Sequence, residues 1–390
     1  MSKIAVIIPH RFVPPANGGH AAGFGFCEFL AKERDVVVIS TTNNPDIPLP
    51  FRLDRLFSDR FYKYFSPIVG IRLWKFLKKE QITYLVIQQP FIGLLMLPVA
   101  KLLNIKLFVY AHNIEFQRFK TIGKWWWRLL WLVEWFVYRS ADTVLFISKD
   151  DMQEAIPIFK LEASKCFEMP YGTRYPAAPP GRETARQAII TKHDLNVNVF
   201  LILFFATYSY KPNTDALERI LDEINPILLQ KATFPYKILI CGGALPARFN
   251  KLQAYQDKNI HYIGFVENID EYVQASDVTL NPVITGGGVK TKMVEAIALG
   301  TTVISAATGA KGVNPTACGE KLIILEDNDV NGFVESIIYL QQQENHLTPA
   351  FFYQEYYWAN AIQSALSQMP EVTPTAIGEM PDRSALRPIK

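Results

Sequence analysis

The stretch "TGGGVKTKMVEAIALG", residues 285–300, decides how this chain is read. The run before it, "DVTLNPV" (277–283), reads as a strand. Three glycines follow, Gly286 to Gly288, and then Lys290 and Lys292. From 291 to 299, Val294, Ile297 and Ala298 share one helical face, and Gly300 is placed to end the helix. A glycine loop between a strand end and a helix start exposes backbone N–H groups at the positive end of a helix dipole. That makes an anion site, with a diphosphate as the usual guest. The two lysines add formal charge. Glu295, one turn into the helix, accepts hydrogen bonds when ionised and suits a ribose diol. The competing reading is a mobile loop with a solvated charge pair, and spacing alone does not separate the two.

Outward from this stretch, strands and helices alternate through both halves of the 390-residue chain. In the first half the strands are "KIAVII" (3–8), "DVVVIST" (35–41), "TYLVIQ" (83–88), "IKLFVYAH" (105–112) and "DTVLFIS" (142–148). "AAGFGFCEFLAKE" (21–33) reads as a helix. The stretch 174–186, rich in Pro and Ala, reads as the start of a linker. The pattern then restarts at "VFLILFFA" (199–206) and continues to "EKLIILE" (320–326). "NTDALERILDEINPILLQ" (213–230) reads as a helix with an Asn or Thr cap, and 351–369 as a single aromatic helix. Near-continuous apolar strands separated by helices predict an α/β chain with two doubly wound parallel sheets facing a cleft. The predicted division is a first domain over 1–173, a linker over 174–192, a second domain over 193–345, a returning helix over 346–369 and a tail over 370–390 without firm structure.

Composition narrows the function. A net charge of +3, with no run of four basic residues, argues against nucleic acid as a partner. The four isolated cysteines fit a reducing compartment, and the N-terminus lacks a secretory pattern, so a cytoplasmic location is expected. The uncharged stretch 81–100 contains two prolines and three glutamines and reads as a strand plus a short helix rather than a membrane span. The six histidines are scattered and give no ligand pair, so no metal and no cofactor are expected. A dinucleotide-dependent oxidoreductase is disfavoured, because the loop after the first strand reads "PHRFVPPANGG" without G-x-G-x-x-G.

The segment "NPVITGGGVKTKMVEAIALGTTVISAATGAKGV" (281–313) resembles the donor-site signature of glycosyltransferase family 4 and its relatives, retaining enzymes of the GT-B fold. Other segments match in order: "GGHAAGFGFCEFLAKERDVVVIS" from 18, "AHNIEFQRF" (111–119), "ADTVLFISKDD" (141–151), "PYGTRYP" (170–176), "FFATYSYKPNTDAL" (204–217) and "IHYIGFVENIDEYVQASDVTLNP" from 260. Singly each motif is weak; in sequence they cover about 1–345. The resemblance implies a GT-B architecture whose last helix, with Trp358, crosses back to the first domain. It implies transfer of a sugar from a nucleoside diphosphate donor to a hydroxyl on a polysaccharide or lipid-linked glycan, with retention of configuration. A sugar-nucleotide 2-epimerase and a non-catalytic sugar-nucleotide binder share the fold.

The resemblance also assigns residues. His112 falls beside the donor sugar, Lys211 and Lys290 on the diphosphate, and Glu295 on the ribose. Gly18, Gly19, Gly287, Gly288 and Val289 fall in the donor-binding loops. His10 and His20 are weaker candidates. The family usually carries two glutamates eight positions apart; the first would stand at 287, where this chain has Gly287. The grip on the donor sugar therefore loses one charged acceptor. The segment "KTIGKWWWRLLWLVEWFVYRS" (120–140) permits two readings. One is a core helix packed through Leu129, Leu132, Val133, Phe136 and Val137. The other is an aromatic, basic helix in peripheral contact with a membrane or acceptor.

Overall fold

A computed structural model describes residues 2–369; the tail read over 370–390 lies outside the described residues. Runs of Val, Ile, Leu and Phe form two all-parallel sheets. The first contains β1 (Ile4–Ile8), β2 (Val36–Thr41), β3 (Arg52–Phe57), β4 (Tyr84–Gln88), β5 (Lys106–Ala111), β6 (Thr143–Phe146) and β7 (Cys166–Glu168), in the order 3-2-1-4-5-6-7. The second contains β8 (Phe200–Phe205), β9 (Tyr236–Cys241), β10 (Ile260–Gly264), β11 (Val278–Asn281), β12 (Thr302–Ala306) and β13 (Leu322–Leu325), in the order 10-9-8-11-12-13. Every residue of β1 and β2 is buried, as strands covered by helices on both faces must be. This is the two-domain, doubly wound GT-B architecture.

Each sheet reverses its strand order once, between β1 and β4 and between β8 and β11. There Ile4 pairs with Tyr84, and Val278 with Ile202. Such a switch opens a crevice at the carboxyl ends of the strands.

Two strands do not announce themselves in the sequence. β3 is "RLDRLF" and β7 has three residues; both are sheet edges, where apolar runs are not required. The helix read over 213–230 is three pieces: Lys211–Arg219, a π-helical turn Ile220–Ile224, and Asn225–Lys231. Its first residue follows Tyr210 rather than an Asn or Thr cap, because Asn213 and Thr214 instead bond the carbonyls of Thr207 and Lys211. Within the stretch read as linker, Arg182–Lys192 is a helix. It buries Ala185, Ile189 and Ile190, while Arg182 and Arg186 both pair with Asp277.

The chain returns from the second domain in two helices, Ala350–Tyr356 and Trp358–Ser367. They are separate because Tyr357 takes extended backbone (φ −75°, ψ 124°) and pairs with Thr173. Thr173 N donates to Tyr356 O (2.6 Å) and Trp358 N to Thr173 O (3.0 Å), so the outgoing and returning crossings are tied together. Trp358 is buried against Gly25 and Gly172, and a Cβ on either glycine would overlap its ring. The last helix thus packs on Gly18–Glu33 of the first domain.

The helix Trp127–Ser140 buries only part of the expected face, Val137 fully and Val133 partly. Leu130, Glu134, Val137 and Tyr138 point inward, whereas Leu129, Leu132 and Phe136 are exposed. Glu134 sets the orientation: its carboxylate accepts the N–H groups of Glu115 and Phe116 (2.8 Å each) and the Tyr138 hydroxyl (3.2 Å). No helix among the described residues is long and apolar enough to cross a membrane.

Candidate active site between the two sheets

The glycine loop lies at the carboxyl end of β11. Gly286 (φ +87°) and Gly288 (φ +74°) occupy the left-handed region that side chains resist. They are also crowded: a Cβ on Gly288 would run into Asn113, and one on Gly286 into the Tyr210 hydroxyl. Gly287 differs. Its nearest neighbour would be Arg118 Cβ at 3.9 Å, and its φ is ordinary, so a side chain has room there. Lack of space therefore does not explain the missing glutamate.

The helix Thr291–Ala298 starts directly after this loop. A Cβ on Gly18 would overlap Thr291, so the first turn of this helix meets the first turn of Gly18–Glu33 from the other domain. Two helix N-termini converge, and their dipoles favour an anion between them. Gly19 lies in the same first turn, beside the capping side chain of Asn17.

The lysines divide sharply. Lys211 is 83% exposed and bonds both carboxylate oxygens of Asp215 (2.8 and 2.7 Å). Lys290 curls back onto its own loop and donates to the carbonyls of Gly286 (3.4 Å), Gly287 (3.0 Å) and Gly288 (2.9 Å). Burial lowers its pKa to about 8. Lys292 is different again. Its Nζ is buried, has no hydrogen-bond partner, and lies 4.7 Å from the Phe204 ring near the end of β8. That is the switch point of the second sheet. Burial, helped by Lys290, lowers the Lys292 pKa to about 7. Sequence reading counted Lys292 only as charge, although its i, i+3 relation to Glu295 places both on one helix face.

Glu295 receives a short hydrogen bond from the Tyr171 hydroxyl, which comes from the interdomain crossing. Burial raises its pKa. Tyr171 in turn packs edge-on against Trp358 at 5.8 Å. One oxygen of the expected ribose holder is therefore engaged across the hinge.

His112 follows β5 and is buried, with its ring edge-on to Tyr110 at 4.5 Å and Nε2 unpartnered. Burial, with His10 nearby, lowers its pKa to about 3, so the ring is neutral at pH 7. His10 stacks on His20 at 5.7 Å. Gln88 closes β4, and nothing in its local sequence marks it as a site residue. It is buried, and both its amide atoms lack partners. Only its place, as a polar residue closing an apolar strand at the switch of the first sheet, singles it out.

A pocket of about 450 Å³ opens between the domains beside the glycine loop, with Val289, Asn113, Arg118, Asp151 and Gly312 on its walls. Glu115 is fully buried and orients two of these groups: it accepts from Asn113 Nδ2 (3.1 Å) and Arg118 Nε (2.7 Å). Asp151 has one buried carboxylate oxygen without a partner, and burial raises its pKa to about 6. The unpartnered groups of Gln88 and His112 sit at strand ends and those of Asp151 and Lys292 in the first turns of helices, where a ligand can complete them.

Two family profiles match the chain. Residues 24–172 match "Glycosyltransferase Family 4" and residues 199–343 match "Glycosyl transferases group 1". Together they span about three quarters of the sequence. The chain is a glycosyltransferase family 4-like protein. No curated protein matches it by sequence. Among solved structures, it resembles sucrose-phosphate synthase from Thermosynechococcus elongatus (16% identity, 95% of this chain and 98% of that one, TM-score 0.68). It also resembles HepE from Anabaena in complex with UDP-glucose (13% identity, 95% and 99%, TM-score 0.65). A third likeness is to WaaG, a glycosyltransferase involved in lipopolysaccharide biosynthesis (14% identity, 93% and 95%, TM-score 0.63). At these identities the likeness is one of fold. It covers both domains of this family 4-like chain, so the cleft described above is the cleft of a GT-B glycosyltransferase.

Proposed function

We propose that the protein transfers a sugar from a nucleoside diphosphate donor to a hydroxyl on a polysaccharide or lipid-linked glycan, with retention of configuration. The observation that carries this reading is the buried ammonium of Lys292, which has the Phe204 ring but no hydrogen-bond acceptor, in the first turn of one of two converging helices. A buried charge without an acceptor is costly, and a diphosphate would satisfy it. The likeness to HepE, crystallised with UDP-glucose, supports a nucleotide-sugar donor. The likeness to WaaG supports a glycan acceptor.

In this reading the bond between the anomeric carbon and the diphosphate breaks with its electron pair on phosphate. The acceptor oxygen replaces it on the same face, and the acceptor proton leaves with the diphosphate. Lys292 and the backbone amides of Gly288 and Val289 meet the developing charge. Lys290 holds the loop in shape from behind, and Gly18 and Gly19 bring in the second helix end. Lys211 reaches the phosphates only after leaving Asp215. Neutral His112 hydrogen-bonds a hydroxyl of the donor sugar or acceptor and does not act as a general acid at pH 7. The free oxygen of Glu295 takes the ribose. No metal is assigned a part.

The test is a thermal-shift screen of UDP-, GDP- and ADP-sugars, followed by analysis of the anomer transferred or released. A good donor stabilises the protein through the closed cleft. Failure of every nucleotide sugar and every nucleoside diphosphate to stabilise it contradicts the reading.

A further inference from the structure

One face of the first domain is unlike the rest of the surface. Helices Pro67–Lys79, Gly93–Leu103 and Trp127–Ser140 lie side by side on one side of the seven-stranded sheet. They pack closely, since a Cβ on Gly70 would press on Leu95 (2.8 Å) and one on Gly93 would overlap or crowd Val137. Among the described residues, 12 of the 21 exposed large apolar side chains fall between Phe61 and Phe136. That concentration is not a random scatter. Trp125, Leu129, Leu132 and Phe136 run at helical spacing and are 87, 63, 52 and 47% exposed. On Pro67–Lys79, across the intervening helix Gly93–Leu103, Ile68 and Ile71 are 71 and 55% exposed, and Leu94 and Leu102 between them are 45 and 77% exposed. Apolar surface of this extent marks a binding face.

Charge identifies the occupant. Residues 61–140 contain 12 Lys and Arg against three Asp and Glu, a net +9, while the whole chain is only +3. Two of those acids, Glu115 and Glu134, are fully buried, and the third, Glu80, is paired with Lys3 and Arg52. Cations also sit over tryptophan rings: Lys78 on Trp74 (5.4 Å), Lys120 and Arg128 on Trp127 (5.1 and 5.3 Å), and Arg139 on Trp135 (5.2 Å). Tryptophan and cations around an aliphatic stripe match a bilayer interface. Nucleic acid would match the charge but leave the exposed Leu and Ile in water. A second copy meeting through this face would set like charge against like.

We propose that this face seats the protein on an anionic lipid bilayer. The inference rests on the surface alone and is independent of how the cleft is read. The face borders the cleft: Thr121 lines the interdomain pocket, and Trp125 follows four residues later. Seating therefore brings the pocket mouth to the headgroup level.

Flotation of the full chain with vesicles tests this, using phosphatidylcholine alone and phosphatidylcholine mixed with phosphatidylglycerol. The expected result is at least about tenfold more binding to the anionic vesicles, falling at high salt. The triple change Trp125→Ser, Leu129→Ser, Leu132→Ser is expected to lower that binding about tenfold or more with an unchanged melting temperature. Lys75→Glu with Lys79→Glu is expected to remove the preference for anionic lipid. Equal binding to both vesicles, binding to neither, or anionic binding untouched by the triple change overturns the proposal. So does capture of an acidic protein without vesicle binding. Flotation needs no donor, so failure here leaves sugar transfer standing.

Discussion

Lys292 is the residue on which stability and function pull apart. Its ammonium is buried without a hydrogen-bond acceptor, a costly arrangement that a ligand-free protein gains nothing from. Lys292→Met is expected to stabilise the ligand-free protein by about 1–4 kcal/mol, measured by chemical denaturation, and to weaken nucleoside diphosphate binding at least about tenfold. A purely structural lysine would show neither effect. His112 gives a pH prediction. Because burial holds its pKa at about 3, the His112 ring should itself contribute no inflection to the rate near the ordinary histidine value, while His112→Ala lowers kcat about a hundredfold. A rate inflection near pH 6.5 that disappears in His112→Ala would show the ring to be exposed and titrating. Gly287 supplies a third test. With ordinary φ and free space, Gly287→Glu should fold with a stability within about 0.5 kcal/mol of the parent. At this scale the sequence points to the glycine loop that lines the pocket but not to which lysines are free. Lys211, Lys290 and Lys292 look alike in a string; only the fold turns one outward, one back on its loop and one into the switch point.

At the scale of elements, legibility followed burial on both faces. Apolar strands such as β1, β2, β4 and β5 could be read directly, because a parallel sheet between helix layers demands continuous Val, Ile, Leu and Phe. The edges β3 and β7 face no such demand and were not distinguishable from loop. The Trp127–Ser140 helix departs from its apolar pattern for an equally physical reason. Its inward stripe includes Glu134, which a hydrophobic pattern assigns to solvent, whereas the fold uses its carboxylate to cap Glu115–Thr121. Glu134→Ala leaves two buried N–H groups without acceptors. It is expected to cost about 2–3 kcal/mol in denaturant unfolding and to loosen Asn113 and Arg118 at the pocket wall. The split at Tyr357 escaped notice because the break comes from pairing with Thr173, a partner 184 residues away in sequence. No local pattern encodes such a contact.

For the whole molecule, the two crossings at Thr173 and Tyr357, with Trp358 lodged between Gly25 and Gly172, are the joint about which the domains would close on a donor. Tyr171 and Glu295 bridge the same joint, so the residue proposed to take the ribose is tied to the crossing. The buried lysines also set a pH signature. Lys290 and Lys292 have folded pKa values of about 8 and 7, below their unfolded value, so the unfolded chain holds more protons above pH 7. Stability of the ligand-free protein from these groups should therefore rise with pH from about 7 to about 10.5, and a bound diphosphate, which favours the charged lysine, should flatten that rise. The same linkage gives the most direct test of the central claim that Lys292 receives the donor diphosphate. Calorimetric titration with UDP, GDP and ADP at pH 8, in buffers of low and high ionisation enthalpy, measures proton uptake on binding. The account predicts that at least one nucleoside diphosphate binds with net proton uptake, and that Lys292→Met binds it at least about tenfold more weakly and with less uptake. Binding without proton uptake, or uptake unchanged in Lys292→Met, would contradict it.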